Sequence, residues 1–265
     1  MSAPLVSCLM VTQPVPQRLP YFRQTVADYL RQTWAPRELV VVLDRGESAT
    51  REAFLAHLDA LARDDIRVVE PAGKLTLGAL RNRSFAHARG ELLCQWDDDE
   101  LYHPERIATQ VALLRQLGGD ALCLEEVLHY FPSTRTLYCI NFRKTAPQAM
   151  PGSMLMRRGL PVAYPEEGPK AERGEDTALV VQLHALGAFR AAAGHAHLYV
   201  YQSHGANTWN DEHHRMLANE LSLSKALLQR REAQLRAGLA PIDFGPGEVT
   251  VMGYNGAAFV LGSPR

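Results

Sequence analysis

Lysine is scarce in this chain. Lys74, Lys144, Lys170 and Lys225 are all it has, and arginine supplies the rest of 28 basic residues, set against 29 acids for a net charge of -1. That balance excludes the basic excess with which proteins bind nucleic acid in bulk. Cysteine is as sparse: Cys8, Cys94, Cys123 and Cys139 fall mostly in apolar runs and show no CxxC spacing. A disulfide framework and a zinc site are therefore disfavoured, and the four thiols read as reduced core residues. No uninterrupted apolar run approaches the roughly 18 residues of a membrane span, and Met1 to Pro4 has no basic, apolar leader. The expected location is the cytoplasm. Neither Gly-x-Ser-x-Gly nor a Gly-rich loop ending in Lys-Ser/Thr occurs, so the hydrolase and P-loop readings fall away.

What the chain does have is Trp96-Asp97-Asp98-Asp99-Glu100, four acids directly after the apolar run Leu92-Leu93-Cys94-Gln95. Adjacent carboxylates repel, and at a strand end they are tolerable mainly where a cation neutralises them. A solvated acidic loop is the plain alternative. Position argues against it: Gly90 precedes a short buried-strand pattern, a helical stretch from Pro104 to Leu117 follows, and ligands of open α/β sheets collect at the carboxyl ends of strands. A divalent metal is the expectation.

Strand and helix patterns alternate before the acids. Strands are predicted at Leu5 to Val11, Leu39 to Leu43, Ile66 to Glu70 and Glu91 to Trp96; helices at Tyr21 to Gln32, Ser48 to Ala62 with Ser48 as N-cap, and Leu75 to Ala88. This alternation implies α/β architecture with a Rossmann-like, mostly parallel central sheet. From Asp120 the pattern becomes mixed: paired strands at Ala121 to Tyr130 and Leu137 to Arg143, then a strand from Ser153 to Arg157. A helix from Gly174 to Leu186, strands at Phe189 to Ala193 and His197 to Gln202, and a long amphipathic helix from Asp211 to Ala237 follow. Glu248 to Leu261 form a terminal hairpin around Tyr254-Asn255-Gly256, where Asn-Gly supports a tight primed turn. With 265 residues, 46% hydrophobic and 22% charged, one large domain with a C-terminal extension is expected.

The ordered series Val6-Ser7-Cys8-Leu9-Met10-Val11-Thr12, Gln32-Thr33-Trp34, Val40-Val41-Val42-Leu43-Asp44, Gly78-Ala79-Leu80-Arg81-Asn82, Gly90-Glu91, Asp97-Asp98-Asp99 and Gly174-Glu175-Asp176 resembles the family-2 inverting glycosyltransferases of the GT-A fold. The resemblance covers roughly Leu5 to Trp209. It implies a GT-A domain over 1–210, with a nucleotide-binding half at about 1–118 and an acceptor-side half at about 119–210, and a helical and hairpin extension over 211–265. It also implies a metal-dependent, inverting, hexosyltransferase-like enzyme. Such an enzyme moves a sugar from a nucleotide diphosphate, UDP-sugar foremost, to a hydroxyl of a glycan or glycolipid, as in polysaccharide biosynthesis.

By that resemblance Asp97 or Asp98 faces the ribose and Asp99 coordinates Mn²⁺ or Mg²⁺, with His204 as a further metal ligand. Asp44 meets the base, although Arg45 stands where many relatives carry a second acid. Thr12 roofs the same pocket, Gly78 lets the backbone approach closely, and Arg81 contacts the nucleotide. Asp176 takes the acceptor proton, with Glu175 positioning acceptor or base. Glu100 stands where relatives often have Asp.

Two rival readings differ from this one in what they require. A sugar-phosphate nucleotidyltransferase needs a Gly-rich first loop, and Thr12 to Arg18 has no glycine. A non-catalytic binding protein of the same fold would not need intact acids at both places. Lys225, Arg230, Arg231 and Arg236 on the long helix would suit peripheral contact with the inner face of a membrane. Leu217, Leu221, Leu227, Leu228 and Leu235 would suit a homodimer or the chain's own core. No nucleic-acid partner is expected.

Overall fold

The computed structural model describes residues 3–205 and 207–262; Met1 and Ser2, at the start read for a leader, and Ala206, within the stretch 201–209, lie outside them. The chain opens with β1 (Val6–Thr12), α1 (Leu19–Leu30), β2 (Arg37–Leu43), α2 (Ser48–Ala60), β3 (Ile66–Val69), α3 (Leu77–His87) and β4 (Leu92–Gln95). The acids follow, then β5 (Leu101–Tyr102), α4 (Arg106–Leu117), β6 (Ala121–Leu124), β7 (Glu126–Phe131), β8 (Thr136–Asn141) and β9 (Met150–Arg157). The remainder is α5 (Glu175–Ala185), β10 (Phe189–Ala192), β11 (Tyr199–Gln202), α6 (Asp211–Leu221), α7 (Lys225–Arg230), α8 (Glu232–Leu239), β12 (Val249–Gly253) and β13 (Gly256–Leu261).

Two sheets result, in the orders β10-β6-β9-β4-β1-β2-β3 and β13-β12-β8-β7-β11-β5. The first is parallel except at β9, which runs antiparallel to both β4 and β6. Its central strands are mostly apolar because both faces are covered. Val6, Cys8 and Met10 pack with Phe22 and Val26 of α1, Phe54 of α2 and Ile107 of α4. Leu9 and Val40 point the other way, into a cluster with Leu179 and Leu183 of α5. The second sheet buries Leu128, Leu137, Val200 and Val251 beneath Leu228 and Leu235 of α7 and α8. Two of the leucines considered for a dimer contact are thus inside the chain's own core. All four cysteines are buried and unpaired.

Four expectations are corrected. The single strand expected from Ala121 to Tyr130 breaks at Glu125, whose flanking strands join different sheets. The long helix over Asp211 to Ala237 is three shorter helices, because Ser222 bridges to Ile140, Leu223 N–H donates to the Cys139 carbonyl and Ser224 caps α7. Ser48 is the first helical residue rather than the N-cap; Glu47 takes that place, and the Ser48 hydroxyl meets Glu52 Oε1 at 2.9 Å. The terminal hairpin forms, but its central pair is Tyr254-Asn255 and Gly256 follows with φ 124°. Asn255 is drawn aside to accept from the Lys225 N–H at 2.7 Å.

Candidate functional site

Strand register explains why the acids converge. In the β1–β4 pair Leu9 lies opposite Gln95, so three residues further on Thr12 comes beside Asp98, and its hydroxyl donates to Asp98 Oδ2. In the antiparallel β5–β11 pair Tyr102 lies opposite Tyr199. The chain before β5 therefore runs alongside the chain after β11. Gln202 N–H donates to Glu100 Oε2 at 2.7 Å, and its side chain donates to the Asp99 carbonyl at 2.9 Å. Two residues later His204 Nε2 stands 3.1 Å from Asp99 Oδ2. Tyr21 stacks on that imidazole with centroids 4.1 Å apart, and Asn207 Oδ1 accepts from the His204 backbone at 2.9 Å.

Arg18, in the turn between β1 and α1, closes the group. Its guanidinium donates to Asp98 Oδ1 at 2.8 Å and Oδ2 at 3.2 Å, and also to Asp99. Burial pushes Asp98 up to about 6, helped by the Asp99 and Asp97 charges and opposed by Arg18. Burial also acts against ionised Asp99, but Arg18 and His204 together outweigh it and hold that carboxyl below its usual range. Glu100 is pushed well up by burial and by the charges of Asp99 and Asp97.

The second carboxylate group comes from α5. Gly174 adopts φ 78°, the left-handed conformation that starts this helix, and Glu175 and Asp176 occupy its first turn, where the helix dipole favours negative charge. Arg81 joins the two groups. Its Nε donates to Glu175 Oε1 and its terminal nitrogen to Asp97 Oδ1, each at 2.9 Å. Burial and the neighbouring Glu175 raise Asp176 to about 6, against the lowering influence of Arg81.

Asp44, Arg81, Asp97, Asp98, Asp99, Glu175 and Asp176 all line one cleft of about 770 Å³. Asp44 Oδ1 is buried there without a partner. Three expected site residues stand elsewhere. Thr12 is 1% exposed and acts on Asp98 from below the cleft wall. Gly78 makes its close approach to protein, since a Cβ there would come within 1.9 Å of the Pro165 carbonyl oxygen. His204 stands behind Asp99, its side chain 1% exposed.

Among the described residues no three His, Cys, Asp or Glu side chains form a metal-holding group. Mg²⁺-like cations, however, are commonly held by one or two protein carboxylates together with substrate phosphates. His204 Nε2 and Asp99 Oδ2, hydrogen-bonded at 3.1 Å, are the imidazole and carboxylate donors such a cation takes, and they would hold it once the Arg18 guanidinium, which donates to the same Asp99 oxygen, moves aside.

The model of glycosyl transferase family 2 matches residues 13–159. The chain belongs to that family. No curated protein matches at a significant level. Solved family-like structures share the GT-A fold. TarS 1-349 of S. aureus is 15% identical over 89% of this chain and 71% of its own, with a TM-score of 0.58. The same protein in complex with UDP-GlcNAc gives 15%, 90%, 67% and 0.58. The longer TarS structure is covered over 43% of its length. The mannosyltransferase PcManGT of Pyrobaculum calidifontis, in complex with GDP-Man and Mn²⁺, is 17% identical over 90% of this chain and 64% of its own, with a TM-score of 0.54. At such identities the likeness is one of fold.

Arg18, Gln202 and Tyr21 were missed in the sequence. Arg18 lies 80 residues from Asp98, and only the β1–β4 register brings the two together.

Proposed function

We propose that this family-2 glycosyltransferase moves a sugar from a nucleotide diphosphate, UDP-sugar foremost, to a hydroxyl of a glycan or glycolipid acceptor by inverting single displacement. One observation carries the reading: two carboxylate groups from separate elements, the loop after β4 and the first turn of α5, meet in one cleft and are bridged by Arg81. Residues 1–118 supply the donor side, and 119–210 most of the acceptor side. The fold neighbours crystallised with UDP-GlcNAc and with GDP-Man and Mn²⁺ support a nucleotide-sugar donor.

Asp44, with its unmet oxygen at the end of β2, accepts from the base, and Asp97 faces the ribose. Asp99 and His204 would hold Mn²⁺ or Mg²⁺, which supplies neutralisation of the charge that grows on the leaving diphosphate. Asp176 removes the proton from the acceptor hydroxyl as that oxygen bonds to the anomeric carbon. The carbon–oxygen bond to the diphosphate breaks with its electron pair leaving on the nucleotide, so an α-linked donor gives a β-linked product. With Asp176 raised to about 6, the side chain is ionised near neutrality yet basic enough to accept a proton.

Thermal unfolding with a panel of nucleoside diphosphates and nucleotide sugars, each with Mn²⁺, Mg²⁺ or EDTA, tests this. A ligand at 100 times its dissociation constant stabilises by about 2.7 kcal/mol, a rise of several degrees. The expected result is a rise for one base, lost in EDTA. No rise with any nucleotide would sink the proposal.

A further inference from the structure

The cleft has a second wall that the acids leave unused. None of its lining residues drawn from 129–152 and 199–217 is an acid, a lysine or an arginine. β7 directs Val127, His129 and Phe131 to one face, all buried, so an imidazole occupies a position where the alternation calls for hydrocarbon. His129 is 1% exposed, and neither ring nitrogen has a partner.

Its neighbours are rings. The parallel β7–β11 register sets Tyr201 beside it, stacked with centroids 4.9 Å apart, and His214 of α6 lies at 5.9 Å. Tyr199, fully buried, has an unpartnered hydroxyl, and His214 has an unpartnered Nδ1 while its Nε2 meets the Tyr201 hydroxyl at 3.1 Å. Trp209 and His213, stacked at 4.4 Å, carry the ring wall out to the rim, where Trp209 is 38% exposed.

An unmet buried polar atom costs about 1–3 kcal/mol, and the large majority of such atoms in folded proteins are paired. Here four stand on one wall of one cleft: both nitrogens of His129, the Tyr199 hydroxyl and His214 Nδ1. Packing alone would have placed Phe at these positions. Burial, with the adjacent histidines, lowers His129 to about 3 and His214 to about 4. Each ring is therefore neutral near pH 7 and offers one donor and one acceptor nitrogen. A hydroxyl also both donates and accepts. A phosphate or carboxylate needs cations, and no lysine or arginine is among the residues lining this wall.

Resting on the glycosyl-transfer reading of this cleft, we infer that the wall formed by β7, β11 and α6 is the acceptor subsite and takes an uncharged, hydroxyl-bearing ring. That ring is the terminal sugar of a neutral glycan or glycoside, and His129 and Tyr199 are its specificity-determining partners. The apolar faces of the sugar pack on the aromatic wall while its hydroxyls meet the four unpaired atoms.

Tyr199→Phe removes only an unmet hydroxyl and His129→Phe exchanges the imidazole for a somewhat larger apolar ring facing the cleft, so the first should melt at or above the parent temperature and the second should remain folded. With the donor found by the nucleotide panel, rates are measured on p-nitrophenyl glycosides and on the matching sugar phosphates. The expected result is preference for the neutral glycosides, with acceptor KM raised about tenfold in each variant, the loss of roughly one hydrogen bond, and the nucleotide-induced rise in melting temperature retained. Preference for sugar phosphates, or an unchanged acceptor KM in both variants, overturns the inference. Saturation-transfer NMR with methyl glycosides separates the two readings. If nucleotides stabilise the protein but no glycoside contacts this wall, the subsite falls alone. If glycosides bind the wall while no nucleotide stabilises, the transferase reading falls and the sugar site stands.

Discussion

Arg81 touches one acid of each carboxylate group, 2.9 Å from both, and so sets the distance between the two groups. Replacing it by Met leaves Glu175 and Asp97 without their shared cation, a loss of about 3 kcal/mol for a mostly buried partner; urea unfolding should show it, together with loss of transfer. Asp176 behaves oppositely. Its folded-state pKa of about 6 lies above the ordinary carboxyl value, so the stability it contributes is full at low pH and lost as pH rises through about 6. Above that pH the ionised side chain is a burden, and Asp176→Asn should stabilise the protein at pH 7.5 by about 1–3 kcal/mol while abolishing transfer and sparing nucleotide binding. A melting temperature below the parent's would contradict this account of Asp176. In the parent, kcat/KM should fall as pH drops below about 6, because the protonated acid cannot accept the acceptor's proton. The acids themselves were legible in the sequence, since four carboxylates at a strand end need positive charge beside them, which Arg18 and Arg81 supply. Their partners were not: Arg81 lies 94 residues from Glu175, and no local pattern encodes that contact.

Among the elements, α3 shows how position depends on one missing side chain. Gly78 lets the helix lie against Pro165, where an added Cβ would come within 1.9 Å of the carbonyl oxygen. Gly78→Ala should therefore push α3 outward and carry Arg81 with it, three residues along the same helix. A loss of about 1–3 kcal/mol should accompany a fall in transfer rate, and unchanged stability would show that the 165–171 segment yields freely. The first seven elements were readable because strands covered on both faces are continuous apolar runs, and helices between them have their own period. The second half was less readable. Ala121 to Leu124 and Val127 to Leu128 are apolar on either side of Glu125-Glu126, and that pair of acids marks the place where the chain changes sheets, a break that a single strand through Tyr130 passes over. The helix expected over Asp211 to Ala237 keeps its apolar spacing across Ser222 to Ser224, yet strand-like contacts with β8 interrupt it.

At the scale of the whole molecule, the two sheets meet at the acids: the loop 96–100 leaves the first sheet through β4 and enters the second through β5. A donor bound at Asp97 to Asp99 should then be felt in both sheets. Amide hydrogen exchange should slow together at 97–102 and at 200–204 when nucleotide and Mn²⁺ are added, because the Gln202 amide is bonded to Glu100. Protection confined to one of the two segments would contradict that coupling. The four thiols, sealed in the core, have a practical consequence. The native surface offers nothing to maleimide chemistry, so a single Val181→Cys substitution, at a position 53% exposed on the helix that begins with Glu175 and Asp176, would carry a dye at one defined point. The helix that carries Glu175 and Asp176 can thus be watched by fluorescence in the otherwise unmodified protein.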